Sequence, residues 1–217
     1  MKRIITIGAA LALLLAGVGR ADADLITIFN TGVDATGHPL PDGTIGDPHY
    51  TLVSTPLGST TDIRVRTSAG GYPIPPYVGD NSISAWIGPN NDPAVDGPVG
   101  AYDFRTTFHS PLAGKLTITG QWSTDNEGID ILLNGASTGN SIPSPTSFTS
   151  FHSFTITGTA LAGTNTLDFL ENNDGGPTAL RVEVSSASVV PEPTGLSLLG
   201  IGIVGLAGGW WRRKRSA

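Results

Sequence analysis

Apolar and polar residues alternate with a period of two through much of the second half of the chain. In Tyr102-Asp103-Phe104-Arg105-Thr106-Thr107-Phe108, one face takes Phe104, Thr106 and Phe108 and the other takes Arg105 and Thr107. That is the signature of a half-buried strand. Leu116, Ile118 and Trp122 repeat it, as do Ile129, Ile131 and Leu133, which run into the tight-turn pair Asn134-Gly135. Phe154 and Ile156, then Leu167 and Phe169, then Val182 and Val184 continue the series. With Phe104 and Phe108, these apolar residues form the predicted core. Upstream the strands are shorter: Leu25–Asn30, Tyr50–Val53, Asp62–Thr67 and Ser82–Ile87. Gly70–Gly79, with three prolines, and Gly88–Pro93 read as loops between them. No window supports a long amphipathic helix and no fixed-period repeat is visible. Many short strands between turns predict an all-β chain folded as a β-sandwich.

Both ends of the chain break this pattern. Met1-Lys2-Arg3 is a basic head, Ile4–Val18 is apolar, and Ala21-Asp22-Ala23 places small residues where a signal peptidase needs them. Residues 1–23 therefore read as a secretory signal peptide cleaved after Ala23. At the other end, the apolar run 194–211 is just long enough for a transmembrane helix, at about 18 residues. Arg212, Arg213, Lys214 and Arg215 follow it as a stop-transfer flank that stays cytoplasmic. Val190, Pro191, Glu192 and Pro193 precede it.

Triplet, apolar span and basic tail, in that order, resemble the PEP-CTERM sorting signal of Gram-negative bacteria. The resemblance covers residues 190–217. It implies export across the inner membrane and a membrane-anchored intermediate held by the C-terminal helix. It implies processing near the triplet by exosortase, a membrane-embedded cysteine transpeptidase, and delivery to the cell surface or extracellular matrix. A plain C-terminal membrane anchor is the other reading of the same residues.

Between the two targeting segments, residues 24–189 are one domain's worth of chain, long enough to bury a sizeable core. They carry five bases against sixteen acids, a formal charge of −11. A surface so acidic repels phosphate backbones, which excludes nucleic acid as a partner and suits an extracellular module or one that collects cations. The chain has no cysteine, so its stability rests on the core without disulfides.

The order of strands carries a second resemblance. Phe104–Phe108 with Arg105, Trp122–Asp125, Ile129–Gly135, Gly163–Leu167 and Glu171–Asn173 follow one another as in the galactose-binding-domain-like jelly rolls attached to many bacterial glycoside hydrolases. The similarity covers about residues 100–185. It implies a jelly-roll sandwich, a fold shared by modules of many functions.

Catalytic chemistry finds no foothold. There is no Cys, and His38, His49, His109 and His152 are scattered without a two-histidine zinc spacing. No Ser sits in a nucleophile elbow, and no spacing singles out a carboxylate pair. The chain is read as a non-enzyme with no catalytic residues and no cofactor other than a structural calcium ion. Carbohydrate binding is the first functional expectation, since sugars stack their C–H faces on aromatic rings. In Ser82-Ile83-Ser84-Ala85-Trp86-Ile87, strict alternation puts Trp86 opposite Ile83, Ala85 and Ile87, on a face read as open to solvent. Tyr72 and Tyr77, in the nearby proline-rich loop, complete the expected ligand-binding set. The other reading of Trp86 is packing at the sandwich end.

Three acidic-amide clusters offer oxygens to calcium: Asn90-Asn91-Asp92 with Asp96, Asp125-Asn126-Glu127 with Asp130, and Asn172-Asn173-Asp174. Asp125, Asn126 and Glu127 are the expected metal residues. Turn preference alone also explains Asp and Asn at these places. Two functions remain: a surface or matrix protein that weakly binds exopolysaccharide, and a purely structural one that binds nothing small.

Overall fold

The computed structural model describes residues 23–89, 96–143 and 147–191. Most of the signal peptide, Glu192-Pro193, the span 194–211 and the tail Arg212–Arg215 lie outside the described residues, as does Asn90-Asn91-Asp92. The chain divides into two units, Asp24–Val189 and the terminal residues Met1–Ala23 with Val190–Ala217. The first carries the strands.

In chain order these are β1 (Asp24–Leu25), β2 (Tyr50–Ser54), β3 (Ile63–Arg66), β4 (Trp86–Pro89), β5 (Gly100–Ser110) and β6 (Gly114–Asp125), followed by β7 (Glu127–Leu133), β8 (Ala136–Ser137), β9 (His152–Ala160), β10 (Gly163–Asn173) and β11 (Ala179–Pro191). Among the described residues the one helical element is a 3-10 turn at Ser68–Gly70, and no helix is long and apolar enough to cross a membrane. One sheet runs β3-β4-β11-β6-β9, with β1 also paired to β11; the other runs β2-β5-β10-β7-β8. The all-β expectation holds, as two antiparallel sheets around one core.

Period-two alternation builds that core. Phe169 of β10 lies with its ring 5.8 Å from Trp122 of β6, 6.2 Å from Phe154 of β9 and 6.2 Å from Tyr50 of β2. Trp122 and Phe154 come from one sheet, Phe169 and Tyr50 from the other, so these rings join the layers. Asn134 (φ 50°) and Gly135 (φ 79°) both take positive φ, the requirement of the tight two-residue turn that returns β7 to β8.

Three expectations are corrected. Ile129 is 40% exposed and lies outside the core. Leu170 pairs with Asp130 but Glu171 pairs with Gly128, so Ile129 is the extra residue of a β-bulge, and the bulge turns it to solvent. The strand expected over Leu25–Asn30 stops at Leu25. Beyond it, side chains interleave with a few backbone bonds: Ile26 N donates to Ala187 O (2.9 Å) and Thr31 N to Val182 O (3.2 Å), while Val184 N donates to Asn30 Oδ1 (2.7 Å), Val182 N to Thr31 Oγ1 (3.0 Å), and Thr31 Oγ1 to Ala85 O (2.8 Å). The strand expected over Ser82–Ile87 begins only at Trp86 and runs on through Gly88-Pro89, which were expected to be loop. Val184 packs against the core but is only partly buried.

Candidate functional site

At one end of the sandwich, the segment between β3 and β4 folds back over β11. Arg181 holds it there. Its guanidinium is fully buried, donates to Gly79 O (2.7 Å), Ser84 Oγ (2.7 Å) and Ser84 O (3.1 Å), and lies 5.3 Å from the Phe151 ring centre. Glu183, two residues on, accepts from Asn81 Nδ2 (2.5 Å), Ser84 Oγ (2.6 Å) and Gln121 Nε2 (2.7 Å). Charge-assisted bonds of this kind are roughly twice as strong as neutral ones, which fastens an otherwise proline-broken loop.

The fastened loop decides the fate of Trp86. Alternation does put Trp86 opposite Ile87, but that side is roofed over, and Trp86 is 0% exposed. Its Nε1 donates to Val78 O (2.9 Å), and Tyr72, Val78, Tyr77, Phe148 and Ala179 surround it. The expected free aromatic face at Trp86 does not exist. Tyr72 is also buried, packed edge-on against Tyr77 with ring centres 4.9 Å apart. Tyr77 is the half-exposed member, stacked on Phe148 at 4.3 Å.

The Tyr77 hydroxyl donates to Asp125 Oδ2 (2.7 Å), at the end of β6. Asp125 is buried, and burial pushes its carboxyl up to about 6 against the opposing effect of that bond. Burial and the Asp125 carboxylate together hold the Tyr77 phenol well above its usual range. Asn126 Nδ2 donates to Asp125 Oδ1 (2.8 Å), while Asn126 Oδ1 accepts from Asp174 N (2.7 Å). Asn172 Nδ2 donates to Asp174 Oδ1 (2.7 Å). Two acidic-amide clusters that lie far apart in sequence thus form one rim, from the β6–β7 and β10–β11 turns.

The tertiary fold brings Tyr72, Tyr77 and Trp86 together with Asp125 and Asn126. Among the described residues no three His, Asp or Glu side chains converge as metal ligands, and the Asn126 amide is engaged by Asp125 and Asp174. Two members of the site were missed from sequence. Phe148 carries no periodic signal. Glu171 does: it falls in phase with Leu167 and Phe169, so a carboxylate points toward the interior. It is 0% exposed, and burial, then Asp125, hold its carboxyl well above the usual range.

No protein-family model and no curated protein matches this chain. Solved structures do show similarity. A family 35 carbohydrate-binding module from Clostridium thermocellum is 15% identical, with a TM-score of 0.36, covering 75% of this chain and 99% of the module. A CBM35 from Paenibacillus barcinonensis is 18% identical, with a TM-score of 0.38 over 66% and 98% of the two chains. A GH26-CBM35 β-(1,4)-mannanase from Podospora anserina is 14% identical, with a TM-score of 0.37, covering 78% of this chain and 28% of the enzyme. At these identities and TM-scores the similarity transfers neither function nor residue roles to this chain.

Proposed function

We propose that this chain is an exported surface or matrix protein, sorted and processed by exosortase, whose jelly-roll sandwich binds extracellular polysaccharide weakly at its loop end. The sorting half rests on the order of Pro191-Glu192-Pro193, the apolar span and Arg212–Arg215. The binding half is carried by one observation: the half-exposed Tyr77 ring stands beside an acidic-amide rim of Asn126, Asn172 and Asp174. A sugar would lay its C–H face on that ring and direct its hydroxyls to the rim. One such stack contributes about 1 kcal/mol; even with several rim hydrogen bonds added, a single site reaches only roughly millimolar affinity, about −4 kcal/mol. Retention then depends on many copies displayed on one surface. The acidic domain favours neutral glycans over bare anionic ones.

The test is affinity electrophoresis of the purified full-length protein in gels cast with the producing organism's own exopolysaccharide. Wild type and Tyr77→Phe should be retarded, and Tyr77→Ala should run free while still folded. Equal mobility of all three would leave the purely structural reading, which the burial of Trp86 as packing favours.

A further inference from the structure

A cluster of buried oxygens lies at the Tyr72–Tyr77 end of the sandwich. Glu171 is 0% exposed, and neither of its carboxylate oxygens has a hydrogen-bond partner. Thr178 Oγ1 and the Tyr72 hydroxyl are buried and unpartnered as well. Native interiors leave few such groups, because each costs its full desolvation. Here several fall at one end of the sandwich.

Register fixes where they are. Glu171 pairs with Tyr102 on β5 and with Gly128 on β7, on the interior face of the last ladder rungs. Thr178 immediately precedes β11 on the opposite sheet. A Cβ on Gly97 would lie 2.7 Å from the Tyr102 hydroxyl and 2.8 Å from Thr178 Oγ1, so both oxygens border the same space. Asp125 joins the cluster from the end of β6, tied to the Tyr77 hydroxyl. Each Asp125 oxygen accepts one bond and keeps a lone pair free. Electrostatics agree with this placement, since Asp125 acts on both Glu171 and Tyr72.

We propose that this cluster is the site of one hard divalent cation of the calcium class, held by Glu171 and Asp125 with the Thr178 and Tyr72 hydroxyls completing the protein's share of oxygens. Two carboxylates removed from water need a cation or a proton. Of the arginines, buried Arg181 is committed to Gly79, Ser84 and Glu183, and Arg105 is committed to Asp168. The donor set is all oxygen, with no sulfur or imidazole, which selects calcium or magnesium over zinc. The ion would bind differently from the expected trio Asp125, Asn126 and Glu127: it draws on Glu171 of β10 and leaves Glu127 out. Its structural consequence is to pin the Tyr72–Tyr77 loop to both sheets.

The test uses purified full-length protein stripped of divalent ions, titrated with terbium as the calcium stand-in and excited through the Trp86, Tyr72 and Tyr77 rings. Wild type and Glu127→Gln should give saturable luminescence that calcium displaces. Glu171→Gln should weaken binding by about tenfold or more. Calcium should raise the Tm of wild type but not of Glu171→Gln. If Glu171→Gln does not fold, Thr178→Val removes one neutral oxygen and should also weaken binding. No saturable signal, equal affinity in Glu171→Gln or in Thr178→Val, or a loss confined to Glu127→Gln would overturn the proposal. No glycan enters this measurement, so its failure leaves the polysaccharide reading untouched.

Discussion

Truncating Trp86 separates the two readings of that residue most sharply. If its ring stood free, Trp86→Ala would be a surface substitution, within about 0.5 kcal/mol of neutral. The structure places it at 0% exposure against Tyr72 (6.4 Å), Tyr77 (6.2 Å) and Ala179. Removing a buried Trp costs about 3–5 kcal/mol, since the surroundings collapse only partly into the space left behind. The Nε1 bond to Val78 O adds little to that cost, because Arg181 Nη1 also approaches this carbonyl at 3.4 Å. Trp86→Phe should therefore recover most of the loss, leaving a deficit of about 1–2 kcal/mol. The assay is urea denaturation followed by far-UV circular dichroism, with m compared between variants. For a domain of this size the Trp86→Ala cost corresponds to a fall in Tm on the order of 10 °C. Amide exchange supplies a local readout: Val78 N donates to Phe148 O (2.9 Å), and its protection should drop in Trp86→Ala. A Trp86→Ala protein within about 0.5 kcal/mol of wild type would refute the roofed-cluster description and restore Trp86 as a surface residue.

Ile129→Ala should be nearly neutral while Ile131→Ala, at 0% exposure, should cost about 2–5 kcal/mol, measured by the same denaturation; equal costs would refute the bulge. Gly128→Ala puts a Cβ 2.6 Å from the Trp122 ring and should destabilise by about 1–3 kcal/mol, checked by thermal melting. In divalent-free buffer, stability should rise as pH falls from about 7 toward 4. Asp103 and Asp125 are both raised from 3.8 to about 6 by burial, Asp103 further by Asp168. Between those values the folded state binds more protons than the unfolded one, so raising the pH through this window costs stability. Asp34, lowered to about 2 by bonds from Thr36 and His38, works the other way and only below about 4, so acid loss should begin there. A Tm that is flat or falls from pH 7 to pH 5 would refute this assignment. Intact mass spectrometry of surface material should find a chain lacking residues 1–23 and the segment beyond the Pro191-Glu192-Pro193 triplet; a mature chain still ending in Trp210-Trp211 and the basic tail would sink the sorting proposal.

Alternation determined a great deal here without any help from the fold. In a strand, successive side chains point to opposite faces, so Phe104, Ile118, Ile131, Phe154 and Phe169 could be assigned to the interior from spacing alone. Asn134-Gly135 specified its own turn, because the positive φ it needs is a local property. Glu171 falls under the same rule, in phase with Leu167 and Phe169, but a lone inward carboxylate was not picked out from the sequence. What alternation could not supply is which face meets water. Trp86 lies on the side that parity gives it, yet the Tyr72–Gly79 loop, fastened by Arg181 across about 100 residues of sequence, turns that side into interior. Ile129 fails for a related reason: the bulge depends on how β7 registers against β10, and one extra residue reverses a face. The strand expected through Asn30 gives way to mixed bonding with β11, in which the Asn30 and Thr31 side chains accept from Val184 N and Val182 N. Period and turn chemistry are set within a few residues; burial and register are set by partners distant in the chain, and only the tertiary structure brings those partners into contact.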